Sequence, residues 1–159
     1  MEQWQKSLAA GESQLVEDRR DAHRYAETGW TEYRTAAKVA ERLEQLGYAL
    51  TVGKDALRDE DRMGVPKAEV LAEQEARALQ QGTPEKWLDR MRGGFTALWA
   101  DLDCGEGPLV ALRFDLDAND CVESAEAAHR PHAAGFASVQ AGAMHACGHD
   151  GHVAVGLAV

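Results

Sequence analysis

Met144-His145-Ala146-Cys147-Gly148-His149-Asp150-Gly151-His152 is the stretch whose reading decides this chain. Nine residues carry three histidines, one cysteine and one aspartate, and two glycines let the backbone close on whatever the side chains hold. Thiolate and imidazole are ligands for zinc and its first-row neighbours. Cys147 and His149 stand two apart, so on extended backbone they share a side. The apolar run Val153-Ala154-Val155-Gly156-Leu157-Ala158-Val159 reads as the start of a buried helix, with Asp150 at its N-cap. The positive end of that helix would favour Cys147 as thiolate. A zinc finger is excluded, because no second C-x-x-C or H-x3-H arm exists. The residues by themselves leave metal binding and chance clustering both open.

Upstream, residues 95–102 and 109–114 read as strands, joined as a hairpin across Asp103-Cys104-Gly105-Glu106-Gly107-Pro108. Val110, Ala111 and Leu112 run on without alternation, as in a strand buried on both faces. Asp115 and Asp117 share a face at its carboxyl end, where α/β sites gather, although an isolated D-x-D is also an ordinary strand-end turn. Residues 118–142 form a long irregular segment, of a length usually functional or mobile, with His129 and His132 on its rim.

Residues 2–25 read as a helix with an apolar stripe of Trp4, Leu8, Leu15, Ala22 and Tyr25, broken near Gly11. In it, residues 17–21 form a solvated charged face and His23 is structural. Residues 31–46 form the clearest helix. Thr31 is its N-cap, Ala36, Val39, Ala40, Leu43 and Leu46 its apolar face, and Gly47 its C′ residue. Tyr48, Leu50 and Val52 then alternate as a half-buried strand, an order that fits an α/β layer. Residues 53–94 are a charge-rich helical insertion. Its first helix, 67–81, turns Leu71, Ala72, Ala78 and Leu79 inward. Its second has Thr83 at N-cap, Pro84 at N1 and Trp87, Leu88 and Met91 on its apolar side. So much charge reads as a surface helical pair, or as a wall for substrate or a partner subunit.

With 17 Lys and Arg against 27 Asp and Glu, the net charge of −10 repels nucleic acid and anionic membrane. Three cysteines point to a reducing compartment rather than a disulfide framework. The first residues lack the apolar core of a signal peptide, and no run approaches the ~18 apolar residues of a membrane span. The expected place is the cytoplasm. No H-E-x-x-H, G-x-S-x-G, G-x-G-x-x-G or P-loop occurs. The apolar run reaches Val159 without a stop signal, so the chain is expected to be cut short.

The nine-residue stretch resembles the HACGHDGH motif of the M20 metallopeptidases, in the amidohydrolase branch that includes hippurate and auxin-conjugate hydrolases. Leu112-Arg113-Phe114-Asp115-Leu116-Asp117-Ala118 is similar to that branch's LRADMDA. Residues 20–35 are similar to its H-x-x-P-E-x-x-x-x-E-x-x-T, with Ala26 where the branch has Pro. Residues 27–35, Arg62-Met63-Gly64-Val65-Pro66, residues 129–138 and the insertion bring the chain nearest to the aminobenzoyl-glutamate type.

The resemblance implies an α/β fold: the N-terminal part of an M20-type, zinc-peptidase-like catalytic domain, helices packed on a mixed sheet, lid domain absent. It implies two divalent ions, Mn²⁺ or Zn²⁺, with Cys147 and His149 as ligands and His145, Asp150 and His152 beside them. Asp117 supports a ligand. Asp115 stands where related peptidases carry a ligand His. The general base, a Glu of a Glu-Glu pair, is expected past Val159, so residues 1–159 alone should not hydrolyse amides. The implied substrate is a small N-acyl-amino acid with an aromatic acyl group. The implied partners are a related B subunit or a second copy through the lid. A different N-acyl-amino acid specificity, or a non-catalytic metal- or partner-binding fragment, are the alternatives.

Overall fold

A computed structural model describes residues 3–159, and the side chains of Trp4 and Leu8 from the first apolar stripe lie outside the described residues. The chain folds as two units: residues 27–111, and the flanking residues 1–26 with 112–159. The elements are helices and two small antiparallel sheets, a mixed α/β composition. No described helix is long and apolar enough to cross a membrane.

The 27–111 unit is built on α2 (Tyr33–Gln45), whose N-terminus is closed by a residue outside the helix. The Glu27 carboxylate accepts the Arg34 and Thr35 amides at 3.1 and 2.8 Å and the Thr35 hydroxyl at 2.9 Å. Thr31, expected as the cap, instead donates its hydroxyl to the Thr28 carbonyl. Glu27 has taken its place, because a buried carboxylate needs donors and a helix start supplies them. The C-terminus ends as the sequence reading has it. Gly47, at φ 87°, donates to the Glu44 carbonyl, and Tyr48 donates to that of Leu43. The chain then enters β1 (Ala49–Val52).

The insertion buries the apolar sides read for its two helices. Its helices α3 (Ala68–Gln80) and α4 (Glu85–Met91) pack on α2 and on each other. Trp87, Leu88 and Met91 are at most 3% exposed, with Leu71, Ala78 and Phe95 also buried, so these side chains contribute to the unit's core while most residues of α3 stay exposed or half-buried. Each such large side chain is worth about 1.5–3 kcal/mol of burial. The Arg77 guanidinium reaches the same Glu27 carboxylate at 2.9 Å, tying α3 to the start of α2. Burial pushes the Glu27 carboxyl up, while its hydrogen bonds and Arg77 pull against that. Ala72 and Leu79 face out, so α3 buries a narrower stripe than its periodicity predicts. Thr83 does not cap α4; Pro84 precedes its first residue. Arg62 lies 3.7 Å over the Phe95 ring and donates to the Gly93 carbonyl, which pins the Arg62–Pro66 stretch.

Strand β2 (Leu98–Asp101) pairs antiparallel with β1, Val52 opposite Leu98 and Ala49 opposite Asp101. The expected hairpin from 95–102 to 109–114 does not form. Residues 102–117 carry no regular structure, and Leu109, Val110 and Leu112 are 94%, 74% and 66% exposed. A strand exists through its partner's backbone, and no described strand pairs with this run. The mixed sheet is likewise not seen among the described residues.

In the other unit, α1 (Gln3–Arg24) packs along α6 (His149–Ala158). It runs unbroken through Gly11, where a glycine's cost of ~1 kcal/mol is too small to end a helix this long. β3 (Asn119–Asp120) pairs with β4 (Ala143–Met144), and Ala118, Ala143 and Ala26 pack together beneath. Between the strands, residues 121–142 are irregular apart from the short α5 (Arg130–Ala133).

Candidate metal centre

Gly148 sets the shape of the motif. It lies at φ 84°, ψ 19° and is the N-cap of α6, so the backbone between Cys147 and His149 is not extended. Only glycine takes that conformation without strain. Asp150, expected at the cap, sits in the first helical turn and is 1% exposed. Its carboxylate is shared: Oδ1 accepts the Gly151 amide of that turn at 2.8 Å, and Oδ2 faces His23 and Arg19 on α1. The two sides of the motif are held by neighbouring residues. The Cys147 amide donates to Asn119 Oδ1 at 3.0 Å. His149 Nδ1 lies 2.9 Å from the Asp117 carbonyl and 3.0 Å from Asp117 Oδ1.

Both atoms facing Nδ1 are acceptors, so Nδ1 carries the hydrogen and Nε2 is left with its lone pair free. A carboxylate behind a histidine in this manner is what orients metal-binding imidazoles. Asp115, His149 and His152 each offer a ligand atom, all within 4.8 Å of one another. The His149 and His152 rings stack at 5.0 Å, and His152 Nδ1 lies 3.5 Å from Asp115. Two imidazoles and a carboxylate are a donor set that fits a divalent first-row ion. Cys147 is exposed and is not one of this group.

His145 is 5% exposed, and neither ring nitrogen has a hydrogen-bond partner. Burial pushes its pKa down to about 4, so the ring is neutral near pH 7. His23 is fully used. Its Nδ1 meets Asp150 at 3.0 Å and its Nε2 meets Glu123 at 2.9 Å. Arg19 joins Asp150 at 3.2 Å, so the 17–21 stretch is not wholly a solvated face. His129 meets Glu123 at 2.8 Å, while His132 is exposed. Sequence reasoning misses Glu123 and Arg19 as members of this group. The only signal for either is the four-residue spacing of Arg19 and His23, which puts them on one side of α1.

The geometry is that of a histidine- and carboxylate-lined centre, and the homologues of the chain are p-aminobenzoyl-glutamate hydrolase subunits and related M20 amidohydrolases. It is 53% identical over 145 residues to the indole-3-acetyl-aspartic acid hydrolase of Enterobacter agglomerans, covering 91% of this chain and 33% of that protein. It is 51% identical over 140 residues to one of the subunits of the p-aminobenzoyl-glutamate hydrolase of Escherichia coli (strain K12), covering 87% and 32%. A crystal structure of an aminobenzoyl-glutamate utilization protein from Klebsiella pneumoniae is similar over 75% of this chain and 30% of that one. Its TM-score is 0.72 at 45% identity. The chain thus spans about a third of the length of the relatives it matches. No family model matches it.

Proposed function

We propose that this chain is the N-terminal part of a metal-dependent amidohydrolase, of the M20 catalytic-domain type, that cleaves an aromatic acyl group from an acidic amino acid. The substrate assigned is p-aminobenzoyl-glutamate, released as p-aminobenzoate and glutamate. The names of the two hydrolases support this choice: each joins an aromatic acyl group to aspartate or glutamate. The Escherichia coli relative is itself one subunit of its hydrolase, which supports a second, related polypeptide as partner.

The observation that carries the reading is His149, locked at Nδ1 by Asp117 and open at Nε2, beside Asp115 and His152. Cys147 and His149 are the proposed ligands, with Asp115 and His152 in reach of His149. A divalent ion supplies an acidified water and a polarised amide carbonyl. Asp117 holds the tautomer that leaves Nε2 free to bind. His145, neutral and unpartnered, adds no charge beside the centre. The −10 net charge does not draw in a dicarboxylate, so substrate attraction falls to local cations.

The test is Mn²⁺ and Zn²⁺ content after dialysis for wild type, Cys147→Ala, His149→Ala and the off-site control Cys104→Ala. Both motif variants should lose metal and the control should keep it. Cleavage of p-aminobenzoyl-glutamate by the whole protein carrying this chain should fall in parallel. Equal retention in all four proteins would remove the metal assignment.

A further inference from the structure

A histidine buried between two carboxylates is an expensive way to fill space. His23 is 4% exposed, Asp150 1%, and the Glu123 side chain 7%. Charges taken out of water cost several kcal/mol each, and an apolar side chain would pack the same volume more cheaply. Every carboxylate oxygen and ring nitrogen of these three residues is nonetheless used. Asp150 Oδ2 takes His23 and Arg19, and Oδ1 takes the Gly151 amide at 2.8 Å. Glu123 Oε1 is shared by His23 and His129, and Oε2 takes the Ser138 amide. Phe136 stands edge-on to the His23 ring at 5.5 Å and His145 lies 6.3 Å away.

The three chain segments joined here are α1, the first turn of α6, and residues 121–138. The turn of α6 begins with His149, next to Asp150. We propose that His23 is a positioning residue for His149: by bridging Asp150 and Glu123 it fixes the first turn of α6, so that His149 meets Asp117 through Nδ1 and presents Nε2. The hydrogen bond to Asp150 holds His23 above its ordinary pKa, burial opposes it, and Glu123 adds to the rise. Burial raises both carboxyls, but the bonds to His23 and its neighbours outweigh it in each, with Arg19 helping at Asp150 and the Ser138 amide and His129 at Glu123. The positioning is a matter of the chain's own geometry; only its consequence for metal rests on the function proposed above.

The experiment reads His149 directly. Nitrogen-15 spectra of the histidine rings, recorded metal-free at pH 8, should show His149 as the single Nδ1–H tautomer in wild type. His23→Phe should give mixed tautomers at His149 and a Zn²⁺ affinity by calorimetry roughly 10–100-fold weaker, the loss typical when a supporting partner is removed. His23→Gln, which keeps an N–H donor, should restore most of both. A role confined to stability would lower the melting temperature of His23→Phe and leave the His149 spectrum and Zn²⁺ affinity at wild-type values, which overturns the proposal. If His23→Phe does not fold, Glu123→Gln is read the same way: a smaller shift in the same direction supports the bridge, and none overturns it. A His149 spectrum that responds to His23→Phe in a protein that binds no Zn²⁺ would retain the positioning role and refute the metal reading instead.

Discussion

Glu32 offers a sharp test of how burial acts on a charge in the 27–111 unit. It is 9% exposed and accepts the Thr96 hydroxyl at 2.6 Å. Burial, against the Thr96 bond, raises its carboxyl from 4.5 to about 7. The folded protein therefore holds a proton that the unfolded chain releases. Its stabilising share is full below pH 4.5 and is lost as pH rises through about 7. Holding the ionised form at pH 8 costs about 3 kcal/mol at 1.36 kcal/mol per pH unit. Glu32→Gln keeps an acceptor for Thr96 and has no proton to lose. Urea unfolding of both proteins from pH 4 to 8 isolates this one carboxyl, because all other titrations are shared. The variant should gain on wild type by about 3 kcal/mol across that range, or roughly 6–12 °C in melting temperature. A gap that stays constant from pH 4 to 8 would refute the reasoning.

Other substitutions report on the packing. Glu27→Ala leaves Arg77 facing a void and unties the α2 start, and should cost about 3–5 kcal/mol in denaturant unfolding. Gly53 lies at φ 78° with an added Cβ overlapping the Arg90 carbonyl, so Gly53→Ala should cost at least about 2 kcal/mol by the same measurement. Trp87→Ala should cost about 3–5 kcal/mol, whereas Trp99, 60% exposed, should tolerate alanine within about 1 kcal/mol; equal effects would mean Trp87 does not contribute to the core.

Local regularities were legible in the sequence because their causes are local. The apolar spacing of α2, the Gly47 terminus and the Trp87–Leu88–Met91 face each depend on residues within a turn or two. What could not be read was pairing at a distance. Glu27 as the cap of α2 depends on a turn folding back, and its Arg77 partner stands 50 residues on. β2 finds β1 across the whole insertion, where the intervening turn residues argued for a hairpin forward to 109–114. At the centre, the motif's residue types and the Asp117 neighbourhood were legible. The turn of Asp150 towards α1 was not, because its partner His23 lies 127 residues away.

Asp117 and Asn119 flank a single buried alanine, yet between them they touch both sides of Gly148: one grips the His149 ring, the other the Cys147 amide. Gly148 fixes how far apart Cys147 and His149 stand; Asp117 and Asn119 act as a jig that fixes how the pair is turned. Wobble in the long irregular connection that delivers the chain to the motif then meets two anchors only one residue apart. The aim of the two side chains is tied to residues 117–119, and a substitution that loosens Ala118 would blur that aim without touching either of them.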